Sequence, residues 1–269
     1  PTTIGSLGDG TACHDARVTT VLDFGSANMT WSNLGNQGPD FGQPASIHFS
    51  NVGLSHDGLP LSLEITNLTS ADAYDPRADG TMHKSEGRFG RIGLRAPRPF
   101  APDLSRLELR FTFLDSATYE PVRVRGTHVS FFDFDAARGG LIRECILGRD
   151  ATNTIVPSHT TLSRVSSTEL GDSTPDANGF CATEDGTGSD NPTRPGALSD
   201  LERSRALTFT FDDTDHFDIV LGVQRLTERE SCCGPAHSRI FLFSGTSDDL
   251  LPRCPSPPAL PPSPPSPPA

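Results

Sequence analysis

Two acidic stretches carry the residues best suited to chemistry. In "FFDFDAARGG", Asp133 and Asp135 stand two apart at the end of an alternating apolar segment, so both fall on one face, and Asp115 ends a similar run in "FTFLDS". "FDDTDHFD" adds Asp212, Asp213, Asp215 and Asp218. Carboxylates that converge at strand ends can hold Ca2+, a hard cation that takes six to eight oxygens. The other reading is a set of solvated acidic turns that cap strands and pair with arginines. No EF-hand spacing is present. Asp115, Asp133 and Asp135 are therefore a candidate Ca2+ site only, and no cofactor is required. Two carboxylates about 5–5.5 Å apart would suit a retaining glycosidase, but no motif marks such a pair.

Other catalytic arrangements lack their signatures. The eight histidines are scattered, without H-E-x-x-H, and no G-x-S-x-G occurs. His48 and His128 fall within strand patterns and read as packed or surface residues. Lys84, the single lysine, sits in the polar stretch "GTMHKSEGR", where nothing marks it as a nucleophile. "GRFGRIG" has glycines at spacing three but no strand-to-helix context for phosphate, and reads as a strand with close backbone approaches. The chain is expected not to be an enzyme. Trp31, Tyr74 and Tyr119 are the only Trp and Tyr residues. Such sparseness weakens a sugar-binding reading; Trp31, beside a sequon, is either a sugar platform or a core residue.

Six cysteines, Cys13, Cys145, Cys181, Cys232, Cys233 and Cys254, occur without C-x-x-C pairs. An even, dispersed set reads as three disulfides of a secreted protein rather than a zinc site. Neighbours Cys232 and Cys233 are expected to bond different partners, provisionally Cys13 and Cys254, which leaves Cys145 with Cys181. Sequons at Asn28 ("NMT") and Asn67 ("NLT") are candidate N-glycosylation sites. The chain starts with Pro and shows no signal peptide, as expected of a processed chain whose targeting segment has been removed. The expected location is extracellular.

Net charge is −12, without a basic run. Nucleic acid and anionic membranes both need a positive surface, so neither is an expected partner. No apolar run approaches the ~20 residues of a membrane span.

Nine alternating segments carry Val, Ile, Leu, Phe and Thr: 17–24, 45–52, 61–68, 106–113, 121–134, 141–147, 205–212, 217–223 and 238–245. Clusters of Gly, Pro, Asn and Asp separate them. The expected fold is all-β, an antiparallel, jelly-roll-like sandwich stapled by disulfides, over residues 1–254. Residues 166–196 are polar and read as a long loop stapled at Cys181. Ser199 and Glu202 have capping-box spacing, which predicts one or two helical turns after Ser199.

Residues 255–269 form a separate Pro/Ser-rich tail in which nine of fifteen residues are proline. Fixed φ and missing amide donors predict a polyproline II rod, about 45 Å long at about 3.1 Å per residue.

The blocks "PSPPALPPSPPSPP" resemble the hydroxyproline-rich glycoproteins of green algae and plants, found in walls, matrix and flagellar hairs. That resemblance implies hydroxylation and O-linked sugars at Pro257, Pro258, Pro261, Pro262, Pro264, Pro265, Pro267 and Pro268, with Ser256, Ser263 and Ser266 as further candidates. "LELRFTFLDSATYEPVRVRGTHVSFFDFD" and "DNPTRPGALSDLERSRALTFTF" resemble a β-rich domain of secreted microalgal and protist proteins, without the dense cysteines of pherophorins. Together these features imply a structural subunit of an extracellular fibril or matrix. Its expected partners are copies of itself, as a homo-oligomer or filament, and extracellular glycans. The tail would dock in the assembly, and the N-terminal "PTTIGSLGDG" could add a strand to a neighbour. The alternatives are a lectin-like module on a proline-rich stalk, Ca2+-dependent or not, and a cell-wall glycoside hydrolase.

Overall fold

The computed structural model describes residues 4–6, 12–14, 20–76, 89–97, 103–137, 139–174, 178–186, 188, 190–226, 238–245 and 250–251. Among them, strands run in the order β1 (Ile4–Ser6), β2 (Ala12–His14), β3 (Val21–Leu22), β4 (Asn28–Ser32), β5 (Ser46–Leu54), β6 (Pro60–Asn67), β7 (Gly90–Arg95) and β8 (Leu104–Asp115). They continue as β9 (Thr127–Phe132), β10 (Ile142–Arg149), β11 (Asn153–Ile155), β12 (Leu162–Val165), β13 (Asn178–Ala182), β14 (Leu207–Phe211), β15 (His216–Arg225) and β16 (Ser238–Ser244). One helix, α1 (Asp200–Ser204), precedes β14.

The strands form two antiparallel sheets, the sandwich expected from period-two alternation. The larger has the order β12-β13-β10-β15-β8-β6-β5-β3, with β4 also paired to β5. The smaller has the order β11-β14-β9-β16-β7. β1 and β2 pair with each other in a separate hairpin, so Ile4–Ser6 already has a partner strand within its own chain.

Phenylalanines join the sheets. Phe111 stacks on Phe217 at 4.8 Å and meets Phe243 edge-on at 5.4 Å, while Phe211 stacks on Phe217 at 4.5 Å. Each fully buried Phe contributes roughly 2–3 kcal/mol by area, and each ring pair about 0.5–1.5 kcal/mol more. Gly90 allows one such approach. A Cβ there would stand 2.1 Å from the Phe243 ring, which explains the glycine in "GRFGRIG" at the first residue of β7.

Three sequence expectations change. Residues 166–196 are not one loop. A 3-10 turn at Ser167–Leu170, with a capping box from Ser166 to Glu169, precedes strand β13. β13 carries too few apolar residues to show alternation, yet it completes a ladder between β10 and β12. The 121–134 segment is a strand only from Thr127, because its first half makes isolated bridges at Pro121 and Val124. β1, β2, β4, β7, β11 and β12 also add strands to those read from alternation. The predicted helix after Ser199 is α1, with Ser199 and Glu202 forming both capping-box hydrogen bonds.

Cys145 and Cys181 are direct cross-strand neighbours on β10 and β13 and form a disulfide, with Cα atoms 4.1 Å apart. They lie on the outer face of the larger sheet, packed with Leu147, Leu170 and Val220 under the 3-10 turn. The Cys13 side chain, Cys232, Cys233, Cys254, Lys84 and the tail with its candidate prolines and serines lie outside the described residues.

Candidate functional site

The acidic residues read from the sequence separate into two groups. Asp115 closes a turn after β8, where its Oδ1 accepts from the Ala117 and Thr118 amides at 2.7 and 3.2 Å. Asp213 pairs with Arg123, and Asp218 takes both arms of Arg110 at 2.8 and 2.9 Å. These follow the turn-and-arginine reading. Asp115 therefore does not join Asp133 and Asp135, because β8 belongs to the larger sheet and its end is capped by its own turn. Among the described residues, no group of three or more His, Cys, Asp or Glu side chains is placed to hold a metal ion.

Asp133 and Asp135 instead line a cavity of about 290 Å³ at one end of the inter-sheet space, with Glu144, Gly186, Ser238 and Arg239. Strand period places them. On β10, Ile142 and Ile146 face the core, so Glu144 between them also points inward. On β16, Phe241 and Phe243 face the core, and the same parity turns Arg239 inward. Asp133 follows β9 with φ of 66°, a left-handed backbone that side-chain-bearing residues seldom adopt.

Arg205, directly after α1, ties the cluster to the rest of the fold. Its Nη1 donates to Asp135 Oδ1 and Asp190 Oδ2, and its Nη2 donates to the Asp185 carbonyl at 2.9 Å. The Asp135 amide donates to Glu144 Oε2 at 3.0 Å, while the Glu144 amide donates to the Asp135 carbonyl at 3.1 Å. Arg239 Nε lies 3.7 Å from Glu144 Oε1. Gly186 is required here, since a Cβ would fall 1.9 Å from Asp135 Oδ2.

The electrostatics follow from burial. Desolvation, reinforced by the charges of Asp135 and Asp190, pushes the Asp133 carboxyl up to about 7. Desolvation pushes Asp135 up to about 6 against the pull of Arg205. Glu144 is raised well above the ordinary carboxylate range by burial, with Arg239 opposing. Asp133 Oδ1 is buried and accepts no hydrogen bond.

A second site, on the outer face of the larger sheet, gathers aromatic rings. Ile47 and Phe49 point into the core, so His48 points outward, beside Trp31 on β4 and Glu64 on β6. Trp31 stacks on His48 at 4.3 Å with planes 12° apart, and Tyr119 lies 5.6 Å from His48. Trp31 is therefore not a core residue. Its Nε1 donates to Ser46 Oγ at 3.0 Å, which fixes the ring's edge. Tyr119 is 58% exposed and held at a φ of 61° by the turn after β8. Burial pushes the His48 imidazole down, opposed by the Glu64 charge. The sequence offered Trp31 and Tyr119 by type, but their meeting depends on a turn residue placed over a strand two positions away in the sheet.

Both sequons lie at the surface of this same sheet. Asn28 is exposed on β4, and Asn67 ends β6, its Nδ2 donating to the Thr69 carbonyl.

No family model and no curated protein sequence matches the chain. Its overall structure is similar to the N-terminal domain of the Streptococcus gordonii adhesin Sgo0707, at 11% identity and a TM-score of 0.42, covering 93% of this chain and 56% of that one. It is also similar to the adhesin domain of PrgB from Enterococcus faecalis bound to DNA, at 10% identity and a TM-score of 0.40, over 74% of this chain and 66% of that one. The chain thus spans less than two thirds of the length of either structure.

Proposed function

We propose that the chain is a secreted, non-enzymatic structural glycoprotein of an extracellular wall, matrix or fibril, and that the outer face of its larger sheet binds glycan. The observation that carries the glycan reading is the stack of Trp31, His48 and Tyr119. Trp31 and Tyr119, set over the buried His48 ring, present an apolar surface with a polar rim, which includes Glu64, Thr30 and the indole edge. A sugar ring offers the matching combination, an apolar face bounded by hydroxyls. An exposed tyrosine held in a left-handed backbone is costly to keep unless its position is used.

The module needs no cofactor in this reading, and its glycans are covalent, at Asn28 and Asn67 and along the proline-rich tail. Self-assembly into a fibril is a second reading. The β5–β6 hairpin favours it, where Leu54 and Leu59 are exposed on either side of the polar tip. A hydrolase using Asp133 and Asp135 is the remaining alternative.

Binding to immobilised wall polysaccharides and a glycan array tests the main reading, with Trp31→Ala and Tyr119→Ala compared against the unchanged protein. Affinity should fall about tenfold or more in each variant, equivalent to about 1.4 kcal/mol. Glycan binding that survives both substitutions would refute the platform, and release of reducing sugar would refute the non-enzymatic reading. Electron microscopy and size-exclusion chromatography of the secreted protein distinguish filament from monomer.

A further inference from the structure

The inter-sheet cavity carries an inference in which the aromatic face plays no part. Asp133 is nine-tenths buried, and its Oδ1 has no hydrogen-bond partner. A buried carboxylate oxygen without a donor is expensive, and cavity-lining positions where one persists are sites for a missing partner.

The neighbouring groups define that partner. Among the described residues, the carboxylates Asp133, Asp135 and Glu144 and the Arg239 guanidinium line the cavity, with Arg205 and Asp190 paired behind Asp135. Arg205 is committed to Asp135, Asp190 and the Asp185 carbonyl. Arg239 lies beside Glu144. Two further acids nearby are engaged elsewhere. The Asp185 carboxylate accepts from the Gly139 and Gly140 amides, and Asp75 accepts from the Ser238 hydroxyl. The cluster thus lacks a donor for Asp133 Oδ1 and, once Asp133 and Asp135 are ionised, also lacks positive charge.

We propose that this cavity recognises a single organic cation, the ammonium or guanidinium end of a lysine- or arginine-like group, with Asp133 as its principal acceptor. A space of about 290 Å³ suits the end of one such chain. A bare divalent ion suits it less well. The oxygens are not grouped for one, and two guanidiniums already occupy the interior side. A neutral polyol would supply donors but leave the excess negative charge uncompensated. Protons compete for the same oxygens, since Asp133 titrates near 7 and Asp135 near 6. Cation binding is therefore strongest in mild alkali and accompanied by proton release.

Isothermal titration calorimetry of the full-length secreted protein tests this with four probes: acetyl-lysine methylamide, acetyl-arginine methylamide, neutral acetyl-glutamine methylamide and CaCl2 alone. At least one cationic probe should bind saturably at pH 8, at least tenfold more weakly at pH 5.5, and with buffer-dependent heat near pH 6.5. The neutral probe should not bind. Asp133→Asn should lower the affinity at least tenfold without lowering the melting temperature at pH 8, because asparagine tolerates a left-handed backbone. The proposal is overturned if neither cationic probe binds at pH 8, if the neutral probe binds equally well, if Asp133→Asn leaves the affinity unchanged, or if CaCl2 alone takes the Asp133-dependent site.

Discussion

Replacing Asp133 by asparagine should stabilise the protein above neutral pH, and the size of the effect should depend on pH in a defined way. In the unfolded chain this carboxyl ionises near 3.8; in the fold it does so at about 7. Below 3.8 it is protonated in both states and the fold bears no penalty. Between the two values the native state holds a proton that the unfolded chain has released. Stability therefore falls as pH rises, by about 1.4 kcal/mol per pH unit. Above about 7 both states are ionised and the loss is complete, at a ceiling of about 4 kcal/mol. Asp135 shares the same field and titrates nearby, so a gain of about 2–4 kcal/mol for the variant at pH 8 is the working figure. Urea unfolding of both proteins at pH 4.5, 6, 7 and 8, with disulfides intact, measures the difference directly. It should be small at pH 4.5, grow through pH 6 and level off above pH 7. A difference independent of pH, or one that favours the wild type more strongly at pH 8, would show that burial does not govern this carboxyl. The same substitution is expected to weaken cation binding, so stability and recognition would change in opposite directions at one residue.

Asp172 should show the reverse slope. Burial raises its carboxyl, but hydrogen bonds from Thr174 and Arg149 outweigh that and hold it at about 2, so its stabilisation is present above 3.8 and is lost as pH falls towards 2. Asp172→Asn should cost about 2 kcal/mol at pH 7 in urea unfolding and nothing near pH 2. Removing the Cys145–Cys181 bridge as a double alanine variant should lower stability by about 3–4 kcal/mol, given its sequence separation of 36. A melting temperature unchanged by that substitution would show that the β10–β13 ladder holds without its staple.

What the sequence shows of this fold follows from how each strand is buried. β8, β14, β15 and β16 face a core on one side, and their alternation places them within a few residues of their observed ends. β13 is short and carries Asn178 and Gly179, so it lacks a pattern and is held by its partners on either side. The capping box at Ser199 was readable because its spacing is local. The same signature at Ser166 and Glu169 lay within a stretch whose polarity argued for a loop. The candidate site divides in the same manner. Asp133 and Asp135 stand two apart in sequence and remain together. Glu144, Asp190, Arg205 and Arg239 come from four other segments, and no spacing rule links them. Glu144 was concealed most completely, since "LIRECIL" alternates like any amphipathic strand and its single inward acid looks like a surface residue. Its place between the core-facing Ile142 and Ile146, opposite the core-facing Val223 on β15 of the same sheet, shows that it is inside.

The sheet edges bear on how such a module can assemble. Among the described residues β4 pairs only with β5 and forms a sheet edge of the kind that can recruit a second chain, although Ser32 at its end exchanges hydrogen bonds with Asp40. Asn28 is exposed at the start of that strand. A glycan there would place a large hydrated group beside the open ladder and oppose lateral pairing. β11 and β12, at two of the other edges, are three and four residues long, too short to template much. Growth by strand addition is thus disfavoured at these edges by a sugar or by brevity. A fibril built from this sandwich would instead use contacts between faces, hairpins such as the one bearing Leu54 and Leu59, or the proline-rich segment. Such contacts need no exchange of backbone hydrogen bonds. They also leave the Trp31 stack and the Asp133 cavity open at separate places on each subunit, so assembly and recognition need not compete for the same surface.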